Sequence, residues 1–250
     1  MGKKGGKRSQ KRLPAPPFWP IHTKEFRWAV KPRPGPHPKE MCLPLSIVVR
    51  DLLHYTKTAR ETKTVLAEGK IKVDGKARRD EKYPAGLMDV LEVPDAESTF
   101  RILPTSGKGL SVVKIPKKEA SFKLCRIEGK TTVRKGNVQL NLHDGRNILV
   151  KVKDPRNPLE DAYSTCDTLQ ISLPGQKILK HMKFSEGAYG LITAGRNMGR
   201  HGKLTKIEVG TAMKPQSVTV EGSEGKVFQT IADHVFVVGE EKPLVKLWEE

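Results

Sequence analysis

The sequence predicts an α+β chain of several domains: a basic extended N-terminal arm, a helix-helix-strand unit, and small β domains behind it. Three observations predict this. Proline and positive charge crowd the start of the chain. Apolar residues then recur at helical spacing and switch to alternation. From residue 106 onward almost every patterned segment alternates with period two, as half-buried strands do. The expected divisions are 1–41, 42–105, 106–172, 173–212 and 213–250.

Residues 1–39 hold 11 Lys/Arg against one acid, Glu25, a net of +10, together with eight of the 18 prolines. The run Lys31-Pro32-Arg33-Pro34-Gly35-Pro36-His37-Pro38 excludes helix and favours polyproline-like extension. Phe18, Trp19, Phe26 and Trp28 are interleaved with Lys24, Arg27 and Lys31. Charges that meet phosphates and rings that pack on bases or a neighbouring protein suit a nucleic-acid-threading arm. Such an arm supplies little core, so deleting 1–39 is expected to leave the rest folded.

In 42–105, Leu45, Val48, Val49, Leu52 and Leu53 fall on one helical face, with Pro44 at the first turn. Thr58-Ala59-Arg60-Glu61 reads as a capping box opening a second helix, and Gly69 closes it. Val65 and Leu66 face inward. Ile71 and Val73 then alternate with Lys70 and Lys72, Asp74-Gly75 turns the chain, and Val90–Val93 forms another strand. Asp89 fixes that strand's entry.

In 106–172, Val138, Leu140 and Leu142 alternate up to His143-Asp144-Gly145-Arg146, and Ile148, Val150 and Val152 alternate back, a hairpin signal. Leu169 and Ile171 mark a further strand. In 173–212, Leu191-Ile192-Thr193 leads into a glycine-rich basic loop from Gly195 to Lys203, after which Leu204, Ile207 and Val209 resume a strand. Residues 213–250 add strands at Ser217–Val220 and Val235–Val238, which complete the β region.

The whole chain has 250 residues, 46 Lys+Arg and 28 Asp+Glu, and a net charge of +18. That points to a polyanionic partner. The charge is polarised, because 211–250 carry four Lys and seven acids. No apolar run approaches the ~20 residues of a membrane helix. The start has no secretory pattern, and the three cysteines are scattered. A soluble, cytoplasmic protein with no membrane partner is expected.

No enzyme site is legible. Gly107-Lys108-Gly109 resembles the end of a phosphate loop, but Ile102 stands where the first glycine belongs and Gly109 where Ser/Thr is needed. Gly-x-Ser-x-Gly and His-Glu-x-x-His are absent. His143 beside Asp144 is explained by its turn. Cys125 reads as a buried strand position despite its basic neighbours. No cofactor, metal or small-molecule substrate is expected.

Two helices followed by Val65-Leu66-Ala67-Glu68-Gly69-Lys70-Ile71-Lys72-Val73-Asp74-Gly75-Lys76 look like the S4-type RNA-binding module. The Gly195–Lys206 segment looks like a KOW motif, the basic hairpin of SH3-like small β-barrels. The order of the two resembles one family, the archaeal–eukaryotic small-subunit ribosomal proteins of the S-four-e family. The stretches that carry it are Cys42-Leu43-Pro44-Leu45, Tyr83-Pro84-Ala85-Gly86-Leu87-Met88-Asp89-Val90, Lys123-Leu124-Cys125-Arg126-Ile127, Gln139 to Asn147, and Gly195-Arg196-Asn197-Met198-Gly199-Arg200. The Gln139–Asn147 text, and an end at Trp248-Glu249-Glu250 without a long basic extension, read as archaeal.

The resemblance implies a non-catalytic, ribosome-bound component that binds the 5′ body region of the small-subunit ribosomal RNA beside neighbouring small-subunit proteins. The candidate contacts are Lys3, Lys4, Lys7, Arg8, Lys11, Arg12, Arg27, Lys31 and Arg33 on the arm. On the module they are Lys57, Arg60, Lys63, Lys70, Lys72, Lys76, Arg78, Arg79 and Lys82. On the loop they are Arg196, Asn197, Arg200, His201 and Lys203, with Gly195, Gly199 and Gly202 letting the RNA approach the backbone. The alternatives are an RNA-modifying enzyme carrying an S4-type module, and a KOW-type transcription or translation factor.

Overall fold

In the computed structural model the described residues are 9–107, 109–152, 161–211, 214–222 and 225–248. The expected arm contacts Lys3, Lys4, Lys7 and Arg8 lie outside them, as does Lys108. Three five-stranded sheets make the body, packed around three apolar clusters, the largest of which draws residues from all three sheets.

The N-terminal segment holds β1 (Gln10–Lys11) and β2 (Trp28–Ala29), paired antiparallel. Next come β3 (Cys42–Pro44), α1 (Leu45–Ile47) and α2 (Ala59–Ala67). The first sheet contains β4 (Lys72–Val73), β5 (Lys76–Ala77), β7 (Val90–Val93), β8 (Ser98–Thr105) and β9 (Gly109–Lys114), in the order β5-β4-β7-β8-β9. Between them β6 (Pro84–Gly86) pairs with β3. The second sheet contains β10 (Phe122–Thr132), β11 (Val138–Leu142), β12 (Asn147–Val150), β13 (Thr168–Ser172) and β14 (Ile178–Met182), in the order β12-β11-β10-β13-β14. The third contains β15 (Tyr189–Ile192), β16 (His201–Glu208), β17 (Ser217–Gly222), β18 (Val227–Ile231) and β19 (Val235–Gly239), in the order β18-β17-β16-β15-β19.

Local signals act where expected. Thr58 accepts from the Glu61 N–H at 3.2 Å, and Glu61 accepts from the Thr58 N–H at 3.4 Å, closing the capping box of α2. Thr58→Ala should cost about 1 kcal/mol, read from the shift in a urea midpoint; an unchanged midpoint would mean the cap contributes nothing. Asp74 and Gly75 both have positive φ, 51° and 75°, the conformation of a tight hairpin turn between β4 and β5.

Other expectations are corrected. The first helix is not regular through Leu53. After α1 the chain widens into a π-helical turn over Val48–Leu52, with the Leu53 N–H donating to Val48 O at 2.9 Å. Leu45, Val48 and Val49 are buried, while Leu52 and Leu53 are half-buried, as is Val65 on α2. Strand pairing also runs across three expected divisions. The boundary after 105 falls between the paired strands β8 and β9, and that after 172 between β13 and β14. The 212/213 division separates β16 from β17, which pair along their length. Sheet pairing is long-range, so local punctuation does not mark the end of a unit.

The largest correction concerns residues 9–41. Trp19 is 2% exposed and packs with Leu43, Leu45 and Ile47, and its indole N–H donates to Cys42 O at 2.9 Å. Ala15 is buried in the same cluster, with Phe18 and Ile21 against it. His37 is buried on Gly86, where an added Cβ would stand 2.4 Å from its ring. A segment expected to carry no core supplies part of one.

Candidate nucleic-acid interface

The basic residues divide into those that face outward and those that hold the protein together. Lys57 is exposed just before α2, Arg60 and Lys63 are exposed on it, Lys76 is exposed on edge strand β5, and Arg79 is exposed just after that strand. None of these five has an ion pair among the described residues. Lys70 is exposed but lies 2.8 Å from Glu68, and Lys72 and Lys82 are half-buried. Arg78 lies over the Tyr83 ring at 4.5 Å.

On the N-terminal segment Lys11 is exposed, and Arg27 is exposed beside the Trp28 ring. Arg12 donates twice to Ile21 O, at 3.0 and 2.6 Å, and so ties the segment's own loop. Arg33 pairs with Asp80 at 2.9 Å, and Lys31 is half-buried.

In the loop between β15 and β16, Arg196 and Lys203 are exposed and Asn197 is half-buried. Arg200 lies over the Phe228 ring at 4.3 Å. His201 has one ring nitrogen 2.7 Å from the Tyr189 hydroxyl and the other 3.3 Å from Trp248 O, so both are used within the protein.

The loop glycines serve the protein's own packing. Gly195 has φ +84°. Gly199 has φ +85°, and a Cβ there would stand 2.4 Å from Ser106 N and 2.6 Å from Thr105 C, so the loop seats on the turn between β8 and β9. At Gly202 a Cβ would meet Glu221 O at 1.9 Å in the neighbouring strand. Gly199→Ala should lower the thermal midpoint, because it combines a left-handed backbone with a backbone clash. An unchanged midpoint would refute that packing role.

Beneath the outward residues lies a buried charge cluster that sequence reasoning missed. Lys123 of β10 is 1% exposed, and its ammonium meets Asp74 at 2.9 Å, Asp144 at 3.0 Å and Asp89 closer still. An ammonium has three donors, and each has a carboxylate. Asp74 comes from the β4–β5 turn, Asp89 from the entry to β7, and Asp144 from the β11–β12 turn. Arg146 joins Asp74 at 2.5 Å and Asp144 at 3.1 Å, and the His37 ring lies 3.1 Å from Asp89.

The carboxylates also accept backbone N–H groups, Val90 on Asp74 and Gly86 on Asp89. The signal was present. Period-two alternation puts Lys123 on the same strand face as Cys125 and Ile127, both fully buried, so a lysine stood at a core position.

Electrostatics follow from that burial. Burial alone would raise the Asp144 carboxyl, but Lys123, His143 and Arg146 outweigh it and hold it at about 2. Asp89 is held well below the carboxylate range, where Lys123 and His37 overcome its burial. Burial, helped by Lys123, depresses His143 to about 3, so the ring is neutral. Its Nδ1 accepts from the Arg126 N–H at 3.2 Å, and its Nε2 donates to Leu87 O at 3.3 Å. Cys125, His143 and Asp144 converge as metal ligands do, yet the cation held there is Lys123, and burial pushes the Cys125 thiol up.

The model of the ribosomal family S4e matches residues 96–178, and that of the RS4NT domain matches 4–40. The small ribosomal subunit protein eS4 of Staphylothermus marinus is 53% identical over 247 residues, 99% of this chain and 98% of that protein. The chain belongs to the S4e family of ribosomal proteins. The eS4 proteins of Aeropyrum pernix and Methanocaldococcus jannaschii are 53% and 46% identical over 99% of this chain. The 30S ribosomal protein S4e of Thermoplasma acidophilum superposes with a TM-score of 0.65 at 32% identity, over 80% of this chain and 95% of that one. Membership makes this S4e chain a structural constituent of the small ribosomal subunit and not an enzyme, and the expected archaeal character agrees with these relatives. Among the described residues no helix is long and apolar enough to cross a membrane.

Proposed function

We propose that the protein binds and stabilises folded small-subunit ribosomal RNA, with α2 and the β4–β5 hairpin acting as an S4-type module and the β15–β16 loop as a KOW-type contact. It works in the cytoplasm, on the ribosome, beside other small-subunit proteins and the 5′ body of the RNA. The observation that carries this is the outward set Lys57, Arg60, Lys63, Lys76 and Arg79, basic groups that form no ion pair among the described residues. A-form RNA offers phosphates and a shallow minor groove to such a surface, so shape is read more than sequence. The Arg12, Arg33 and His201 contacts seen above leave those three as supports of the interface.

Filter binding to a small-subunit rRNA transcript over a salt series tests it. Affinity should fall steeply with salt, by about 0.7–0.9 in log–log slope per phosphate neutralised. Replacing Lys57, Arg60 and Lys63 by alanine should reduce that slope by about two without moving the thermal midpoint. A salt-independent affinity, or a triple variant that binds as the parent does, would overturn the assignment. Release from purified subunits at low salt would favour an exchangeable factor instead.

A further inference from the structure

A cleft of about 380 Å³ lies where the N-terminal segment, the first sheet and the second sheet meet. Its walls include Lys76, Arg78, Tyr83, Gly145, Arg146 and Gln176. The volume falls in the range of small-ligand sites, roughly 300–1,000 Å³. It opens beside edge strand β5, so it continues the exposed basic face.

Its chemistry is particular. One face of the Arg78 guanidinium lies on the Tyr83 ring at 4.5 Å, which fixes the plane of the group. The Arg78 Nε is out of solvent with no hydrogen-bond partner among the described residues. The floor carries Asp74 and Asp144, and each is paired with both Lys123 and Arg146, so neither carboxylate lines the cleft without a cation beside it. Lys76 is exposed at the rim, and Arg146 keeps a fifth of its side chain exposed. A planar cation already stacked on one side, a basic rim, and the amide of Gln176 in the same lining together match a nucleotide. The base would take the plane, the phosphate the rim, and the base edge the amide.

We propose that this cleft holds one unstacked nucleotide of the bound ribosomal RNA, its base stacked on Arg78 opposite Tyr83 and its phosphate met by Lys76 and Arg146. The inference rests on the RNA-binding reading above and deepens it. Single-stranded bases splayed from folded RNA stack on guanidinium planes and are read at their edges, which gives a shape-reading surface one point of fixed register. Lysine at position 78 would keep the charge and lose the plane.

The test uses the full-length protein, the small-subunit rRNA transcript, and the variants Arg78→Lys, Gln176→Ala and Lys242→Ala, the last an exposed lysine outside the basic face, each first checked for an unchanged thermal midpoint. Binding is measured over a salt series. Base accessibility is mapped with dimethyl sulfate for A and C and carbodiimide for G and U. Arg78→Lys should bind about tenfold more weakly with an unchanged salt slope, as loss of one stacked base implies. One single-stranded base protected by the parent protein should become reactive with Arg78→Lys and with Gln176→Ala, and stay protected with Lys242→Ala.

If Arg78→Lys binds and protects as the parent does, the proposal is wrong. Should that variant fail to fold, unchanged protection with Gln176→Ala overturns the proposal in its place. A loss for Arg78→Lys accompanied by a shallower salt slope would make Arg78 a phosphate contact and also overturn it. Millimolar nucleoside monophosphates that bind with the same Arg78 dependence, without any protected base in the RNA, would assign the cleft to free nucleotide. If the parent protein shows no salt-dependent binding, the RNA-binding reading itself fails, and that result is distinct from the others.

Discussion

Replacing Lys123 by methionine should destabilise the protein by about 3–5 kcal/mol, because it leaves buried carboxylates without their cation. Asp74, Asp89 and Asp144 all lie against that one ammonium, and each is nearly or fully out of solvent. Against a total stability of ~5–15 kcal/mol, such a loss approaches unfolding at physiological temperature. A urea titration should show a much lower midpoint with a similar slope. Adding Asp89→Asn to Lys123→Met should recover part of the loss, since it removes one of the stranded charges. A single variant with the parent's midpoint would refute the view that this cluster joins the sheets.

The same cluster sets the response to acid. His143 is held at about 3, and an unfolded histidine titrates near ~6.5. As pH falls from ~6.5 the unfolded chain takes a proton that the folded chain refuses until about 3, so stability is present above ~6.5 and falls below it. Asp144 at about 2, with Asp89 lower still, adds a second loss that begins below ~3.9 as the unfolded carboxylates protonate first. Chemical denaturation from pH 8 to 3 should show both phases. His143→Gln should flatten the first, and a profile that does not change would refute the assignment.

Deleting residues 1–39 should lower the thermal midpoint by ~10 °C or more, and the shortened chain should not keep the native fold under denaturant that the parent tolerates. Losing a buried tryptophan costs about 3–5 kcal/mol, and each kcal/mol is worth ~2–4 °C at this size. The deletion also strips His37 from Asp89 and uncovers Pro84 and Gly86. Trp19→Ala alone should reproduce most of the shift and Trp19→Phe much less. A deletion mutant as stable as the parent would restore the picture of a coreless arm.

Much of the fold was legible because it is written locally. The capping box at Thr58, the Asp74-Gly75 turn and the Val138–Val150 hairpin each need only neighbouring residues, and each stands where its residues put it. The π-helical turn at Val48–Leu52 was not legible, since Leu45 to Leu53 keep a helical period that a wider turn also satisfies in part. The outward basic residues of α2 were legible from spacing alone. The distinction between Arg60, which faces solvent, and Arg12, which ties Ile21, was not. A guanidinium's partner is set by what folds beside it.

The sequence by itself determined the charge and where it rides, the family, and the alternation of hairpin strands such as Val138–Leu142 and Asn147–Val150. Those are properties of composition and of residues a few positions apart. Tertiary structure decided that the proline-rich basic start anchors a tryptophan in the core, and that Gly199 and Gly202 face the protein's own backbone. It also decided that Asp74, Asp89, Lys123 and Asp144 meet at one point, although 70 residues separate the first from the last. Burial and charge pairing depend on distance in space, and that distance is fixed only once the sheets have packed.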